Sequence, residues 1–140
     1  MKKVLFVLLV LSLGLVKKEA YATHAAGLEI TYDVDPFNPS CYIVTVKFYR
    51  DCDGISAPGS LFLNIESPSC GQFLSATANQ VSFTEISPIC PGYTTTCAGG
   101  TYPGIQEFVY EAQVCLPLEC NDWTISTSEC CRNGAITNIN

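Results

Sequence analysis

Nine cysteines and a single histidine carry the most distinctive chemistry in this chain, and their placement narrows what that chemistry is. Cys41, Cys52, Cys70, Cys90, Cys97, Cys115, Cys120, Cys130 and Cys131 all lie beyond position 40. Structural zinc would want short, paired thiolate spacings, usually with imidazole. Only Cys115 and Cys120 approach such a spacing, no Cys-x2-Cys occurs, and no histidine accompanies them, so oxidation to disulfides is the expected fate. An odd number leaves at least one thiol free, bonded to another molecule, or paired beyond Asn140. With only His24 available, most Ser-His and Cys-His machinery is excluded unless that residue serves. Ala22-Thr23-His24 would chelate copper through a free amine only if export cleavage fell before Ala22; a flexible terminus is the plainer reading.

The acidic residues offer two further possibilities. Glu107 and Glu111 share one strand face, as do Glu29 and Asp33, the arrangement of a two-carboxylate hydrolase. Such a pair needs a cleft that separates the two acidities, and nothing in the surrounding sequence specifies one, so a solvated face is expected. Asp51-Cys-Asp-Gly54 has the look of the first part of a calcium loop, with Asp33 and Asp35 as additional oxygen donors. It lacks the later glutamate ligand, which favours a turn made by Asp and Gly. Asp33, Asp35, Asp51 and Asp53 are the calcium candidates, and no other cofactor is implied. Tyr42, Tyr49, Tyr93 and Tyr102 are of the type that lines sugar-binding surfaces, though tyrosine is also an ordinary strand residue.

These residues must be held by strands. In Cys41-Tyr-Ile-Val-Thr-Val-Lys-Phe-Tyr-Arg-Asp-Cys-Asp-Gly54, Tyr42, Val44, Val46 and Phe48 recur at every second position and so share one face of an extended chain. Leu28, Ile30, Tyr32 and Val34 alternate in the same way before a turn at Asp35-Pro-Phe-Asn-Pro-Ser40, which predicts a hairpin. Leu61 to Glu66 reads as a third strand. Phe73 to Thr77 and Gln80 to Ile86 read as two short strands around Ala78-Asn79. Pro88 to Gly104 is an aperiodic loop long enough to need a staple. Phe108, Tyr110, Ala112 and Val114 alternate within Gln106 to Val114, and Trp123 and Ile125 point inward in a last strand ending near Glu129. No helical period persists. About seven short strands at this spacing predict an all-β, antiparallel, immunoglobulin-like β-sandwich stapled by disulfides.

Residues 1–22 stand apart from this pattern. Lys2 and Lys3, the apolar run from Val4 to Val16 and the small-x-small Ala20-Tyr21-Ala22 form a signal peptide. The run is short for a membrane span, which needs about 20 residues, and no second candidate follows. Residues 23–140 are then a single module, exported and either secreted or held at the cell surface. Gly134-Ala-Ile-Thr-Asn-Ile-Asn140 reads as a strand interrupted at its start, so the module is expected to be truncated and to continue beyond 140. Without the signal, three basic residues (Lys47, Arg50 and Arg132) face twelve acidic ones, a formal charge of −9. Nucleic acid and anionic membranes are poor partners for such a surface.

Face parity constrains the cysteines. An eleven-residue strand holds Cys41 and Cys52 about 36 Å apart, too far for a mutual bond. If even-numbered residues face inward, Cys41 and Cys115 share the opposite face, which predicts a Cys41–Cys115 bond. Cys90 and Cys97 would staple the long loop. Adjacent Cys130 and Cys131 point to opposite faces and need separate partners.

Taken together, Ala22-Thr-His-Ala-Ala-Gly-Leu-Glu-Ile-Thr-Tyr32, Phe48-Tyr-Arg-Asp-Cys-Asp-Gly54, Ile86-Ser-Pro-Ile-Cys-Pro-Gly92, Asn121-Asp-Trp123, Cys130-Cys-Arg-Asn133 and Ala135-Ile-Thr-Asn138 resemble the amino-terminal region of large secreted surface proteins of gliding bacteria. Proteins of that family carry PKD-type or immunoglobulin-like repeats downstream and a gliding-motility-associated sorting domain used by the type nine secretion route. The resemblance covers essentially all of residues 23–140. It implies position rather than chemistry, the first extracellular module of a long adhesin-like protein. Residues 23–140 are accordingly read as a structural or adhesion module without catalysis, whose expected partners are other domains of its own chain and surface proteins or polysaccharide. Cys41 and Cys115 depart together from the family pattern, in keeping with their pairing. A ligand-binding module for polysaccharide or calcium is the alternative, and a secreted hydrolase the third.

Overall fold

A computed structural model of the chain describes residues 25–129. Six strands form there, β1 (Ala25–Val34), β2 (Cys41–Asp51), β3 (Ser60–Ser67), β4 (Gln72–Glu85), β5 (Ile105–Cys115) and β6 (Thr124–Ser126), with a short 3-10 turn at Thr96–Ala98. They make one antiparallel sheet in the order β1-β2-β5-β4-β3-β6. The fold is all-β and disulfide-stapled, as the alternation predicts.

The two strands read from Phe73 to Ile86 are instead one. A 14-residue β4 pairs with β3 through Gln72 to Asn79 and with β5 through Asn79 to Glu85. A register shift between Gln80 and Ser82 leaves Val81 as the extra residue of a bulge, which bends the strand and increases its twist. Before the bulge the even-numbered Leu74, Ala76 and Ala78 face the core; after it the odd-numbered Phe83 stacks on Phe108, with ring centres 5.4 Å apart. The small residues Ala78 and Asn79 read as a break, yet tertiary pairing on both sides carries the strand through them.

That bend makes the sheet two-layered. β3 bonds to neither β2 nor β5, yet Leu61, Leu63 and Ile65 of β3 share one buried cluster with Val44 and Val46 of β2 and Tyr110, Ala112 and Val114 of β5. The β3 layer therefore lies across the β2–β5 layer, with β4 belonging to both. Burying each of the valine, leucine and isoleucine side chains among them contributes about 1.5 to 3 kcal/mol. Tyr110 is fully buried, and its hydroxyl satisfies itself by donating to the Pro58 carbonyl at 2.7 Å. Burial pushes that phenol up to about 12.

Candidate functional site

Three disulfides join the described residues: Cys41–Cys115, Cys52–Cys97 and Cys70–Cys120. Cys41 and Cys115 sit opposite each other in the β2–β5 register, the pairing that parity predicts. The amide of Leu116 donates to the carbonyl of Ser40, which makes Cys41 and Cys115 a non-hydrogen-bonded pair, the closer of the two antiparallel geometries. The expected Cys90–Cys97 bond does not form. Cys97 is bonded to Cys52, and Cys90 is exposed with no bond to a described cysteine. The reason is register: the Cys52 amide donates to the Gly104 carbonyl at 2.9 Å, which brings the turn after β2 against the long loop. Gly104 is buried there, and an added Cβ would collide with the Cys97 sulfur and the Thr95 side chain. Cys130, Cys131 and His24, and with them the copper and C-terminal strand readings, lie outside the described residues.

The motif around Asp51 works as a clasp. The Arg50 guanidinium donates to the Gln106 side chain at 2.8 Å, to the carbonyls of Cys52 at 3.3 Å and Gly54 at 2.5 Å, and to the Ile55 carbonyl. Asp51 accepts the Asp53 amide at 3.1 Å in an Asx turn. The calcium candidates are not brought together. Asp33 is exposed on β1, and Asp35 accepts the Phe37 amide at 2.8 Å and the Gln113 side-chain amide at the Cys41 end of β2. Asp51 and Asp53 stand at the other end of that strand, about 30 Å away by its rise. Among the described residues no group of three or more His, Cys, Asp or Glu is placed to hold a metal.

The carboxylates of the imagined hydrolase lie on the outer sheet face. Glu107 forms a 3.5 Å ion pair with Lys47, Glu29 accepts the Tyr49 hydroxyl at 3.3 Å, and Glu111 is exposed. Burial, then the neighbouring Glu107 and Glu29, push the Tyr49 phenol up. The four tyrosines also separate. Tyr49 belongs to this outer face, while Tyr93 and Tyr102 stack edge-to-face in the long loop, 4.8 Å between centres.

Tyr42 instead enters a groove. β1 and β6 are the two edges of the sheet, and the groove runs along the seam where they approach. Ile30 and Tyr32 of β1, Tyr42 of β2, Trp123 and Ile125 line a cavity of about 360 Å³. It adjoins a more polar one of about 480 Å³, which takes in Ser40 and Glu119; Asn121 and Trp123 border both. Tyr32 packs edge-to-face on Tyr42, 5.8 Å between centres, and the indole of Trp123 donates to the Leu118 carbonyl at 3.2 Å.

The far wall is held by Asp122. Its carboxylate accepts the hydroxyls of Ser67 (2.5 Å) and Ser69 (2.6 Å) and the Ser69 amide (2.8 Å), tying the β3–β4 turn to the segment before β6 beside Cys70–Cys120. Those donors, the Ser67 hydroxyl first, hold its pKa down at about 2. Nothing local announces the groove, because its residues come from both sheet edges. The one available signal was the chain's single tryptophan beside Asn121 and Asp122.

Among the described residues no helix is long and apolar enough to cross a membrane. No protein-family model, curated protein or solved structure matches the chain.

Proposed function

We propose that the chain is an extracellular structural or adhesion module, without catalysis, at the amino terminus of a larger cell-surface protein of the gliding-motility-associated, type nine-secreted kind. The observation that carries this reading is the placement of the three disulfides. Cys41–Cys115 and Cys52–Cys97 clamp opposite ends of β2, and Cys70–Cys120 ties the β3 layer to the segment leaving β5. A sheet closed at both ends by covalent bonds suits a module exposed to proteases and mechanical load outside the cell, where such bonds persist. The export signal and the sequence resemblance supply the address. The polar groups with the strongest contacts, Arg50, Asp35 and Asp122, all serve turns, which favours a scaffold over a reaction centre.

The test is deletion of residues 23–140 from the parent protein in its own cell, followed by surface proteolysis and an adhesion assay. Loss of adhesion with the remainder still exported supports the module's role; unchanged adhesion and export refute it.

A further inference from the structure

In the seam groove Ile30, Trp123 and Ile125 pack against the core, but part of the apolar lining stays open to water. Tyr32 is 65% exposed although its position in β1 places it on the same side as the core residues of that layer, and Val34 beside it is 56% exposed. The cause is that β6, the facing edge, is only three residues long and does not roof the outer half of β1. Aromatic surface is thus kept in water along a groove whose shape is held by Cys41–Cys115, Cys70–Cys120 and the Trp123–Leu118 hydrogen bond.

We infer that this groove binds a neutral oligosaccharide, a reading that rests on the chain being an exported surface module. The pyranose ring presents an apolar C–H face edged by hydroxyls, and the groove offers the matching pair of surfaces. Tyr32, Tyr42 and Trp123 supply aromatic ring area, while Asn121, Ser40 and Glu119 supply amide, hydroxyl and carboxylate partners in the adjoining polar half. Cavities of about 360 and 480 Å³ lie in the range typical of small-molecule sites.

Charge selects the class of sugar. Lys47 and Arg50 are the only cations among the described residues, and both are committed elsewhere, Lys47 to Glu107 on the outer face and Arg50 to its turn. With Glu119 at its rim, the groove has among the described residues no counter-charge for a uronate, sulfate or phosphate. A calcium-bridged sugar is disfavoured too, because both oxygens of Asp122, next to Asn121 and Trp123, are occupied by Ser67 and Ser69. A peptide strand added to an open edge would draw its affinity from backbone ladder bonds and would leave the aromatic ring faces as one contact among several.

Trp123 is the only tryptophan, so its fluorescence reports on the groove directly. The exported full chain should be titrated with cellohexaose, maltohexaose, mannohexaose and xylohexaose, with oligogalacturonate as the anionic comparison. At least one neutral hexasaccharide should shift the Trp123 emission saturably. Tyr32→Ala, at an exposed position, should weaken that binding about tenfold or more while lowering the melting temperature by only a few degrees, the cost of the lost contact with Tyr42. Tyr93→Ala, in the distant loop, should leave it unchanged. The inference is overturned if no neutral sugar shifts the emission, if oligogalacturonate binds more tightly, or if Tyr32→Ala has no effect. Adhesion that persists alongside any of those results would sink the sugar site and leave the adhesion-module reading standing.

Discussion

Replacing Cys70 and Cys120 together by alanine tests how much the links stabilise the fold, because both residues are only half-buried and their removal leaves little cavity. In an otherwise unlinked chain, a bond across 50 residues removes unfolded-state entropy worth about 4 kcal/mol. The Cys41–Cys115 bond shortens the relevant loop. From Cys120 the path runs five residues to Cys115, crosses that bond, and continues 29 residues from Cys41 to Cys70, about 35 in all. Because the dependence is logarithmic, the expected loss falls only slightly and stays at about 4 kcal/mol. For a domain of this size that corresponds to a fall in melting temperature of about 15 °C. Urea unfolding followed by circular dichroism should also show a steeper denaturant dependence, since the released chain expands further when unfolded. A fall below about 3 °C with an unchanged slope would refute the reasoning, by showing that the link does not restrict the unfolded chain.

Three other expectations follow from the described contacts. Arg50→Lys should destabilise by about 2 kcal/mol in urea titration and hasten proteolysis between 52 and 59, because one ammonium cannot reach the acceptors held by the planar fork; wild-type proteolysis rates would contradict the clasp. Asp122→Asn should lower the melting temperature at pH 7 but match the wild type near pH 2. The native carboxylate, held at about 2, stabilises fully above its unfolded value near 4, and that contribution drains away as pH falls through this window; parallel pH profiles would refute its role. Gly104→Ala should cost about 1 to 3 kcal/mol by forcing a methyl group against Cys97 and Thr95; an unchanged melting temperature would show that the loop yields freely.

Much of the fold was legible because alternation is a local property. Val44, Val46 and Phe48 of β2, and Phe108, Tyr110, Ala112 and Val114 of β5, face inward as their spacing predicts. Cys41–Cys115 followed from the same parity, since antiparallel neighbours oppose residues of like face. The Cys90–Cys97 expectation failed because closeness along a loop says nothing about what the loop packs against. The β4 bulge was invisible for a related reason: Ala78 and Asn79 have weak strand preference of their own and are held by β3 on one side and β5 on the other.

On its own, the residue order determined the strand-forming alternation, the richness in cysteine and the scarcity of positive charge. Which cysteines meet, where the sheet bends and which aromatic rings stay open to water were decided only by the folded sheet. β1 and β6 are separated by nearly the whole described chain, and only the curl of the sheet brings Tyr32 and Trp123 to the same groove. Alternation tells each strand which face to bury, but it carries no information about the distant edge that will stand opposite.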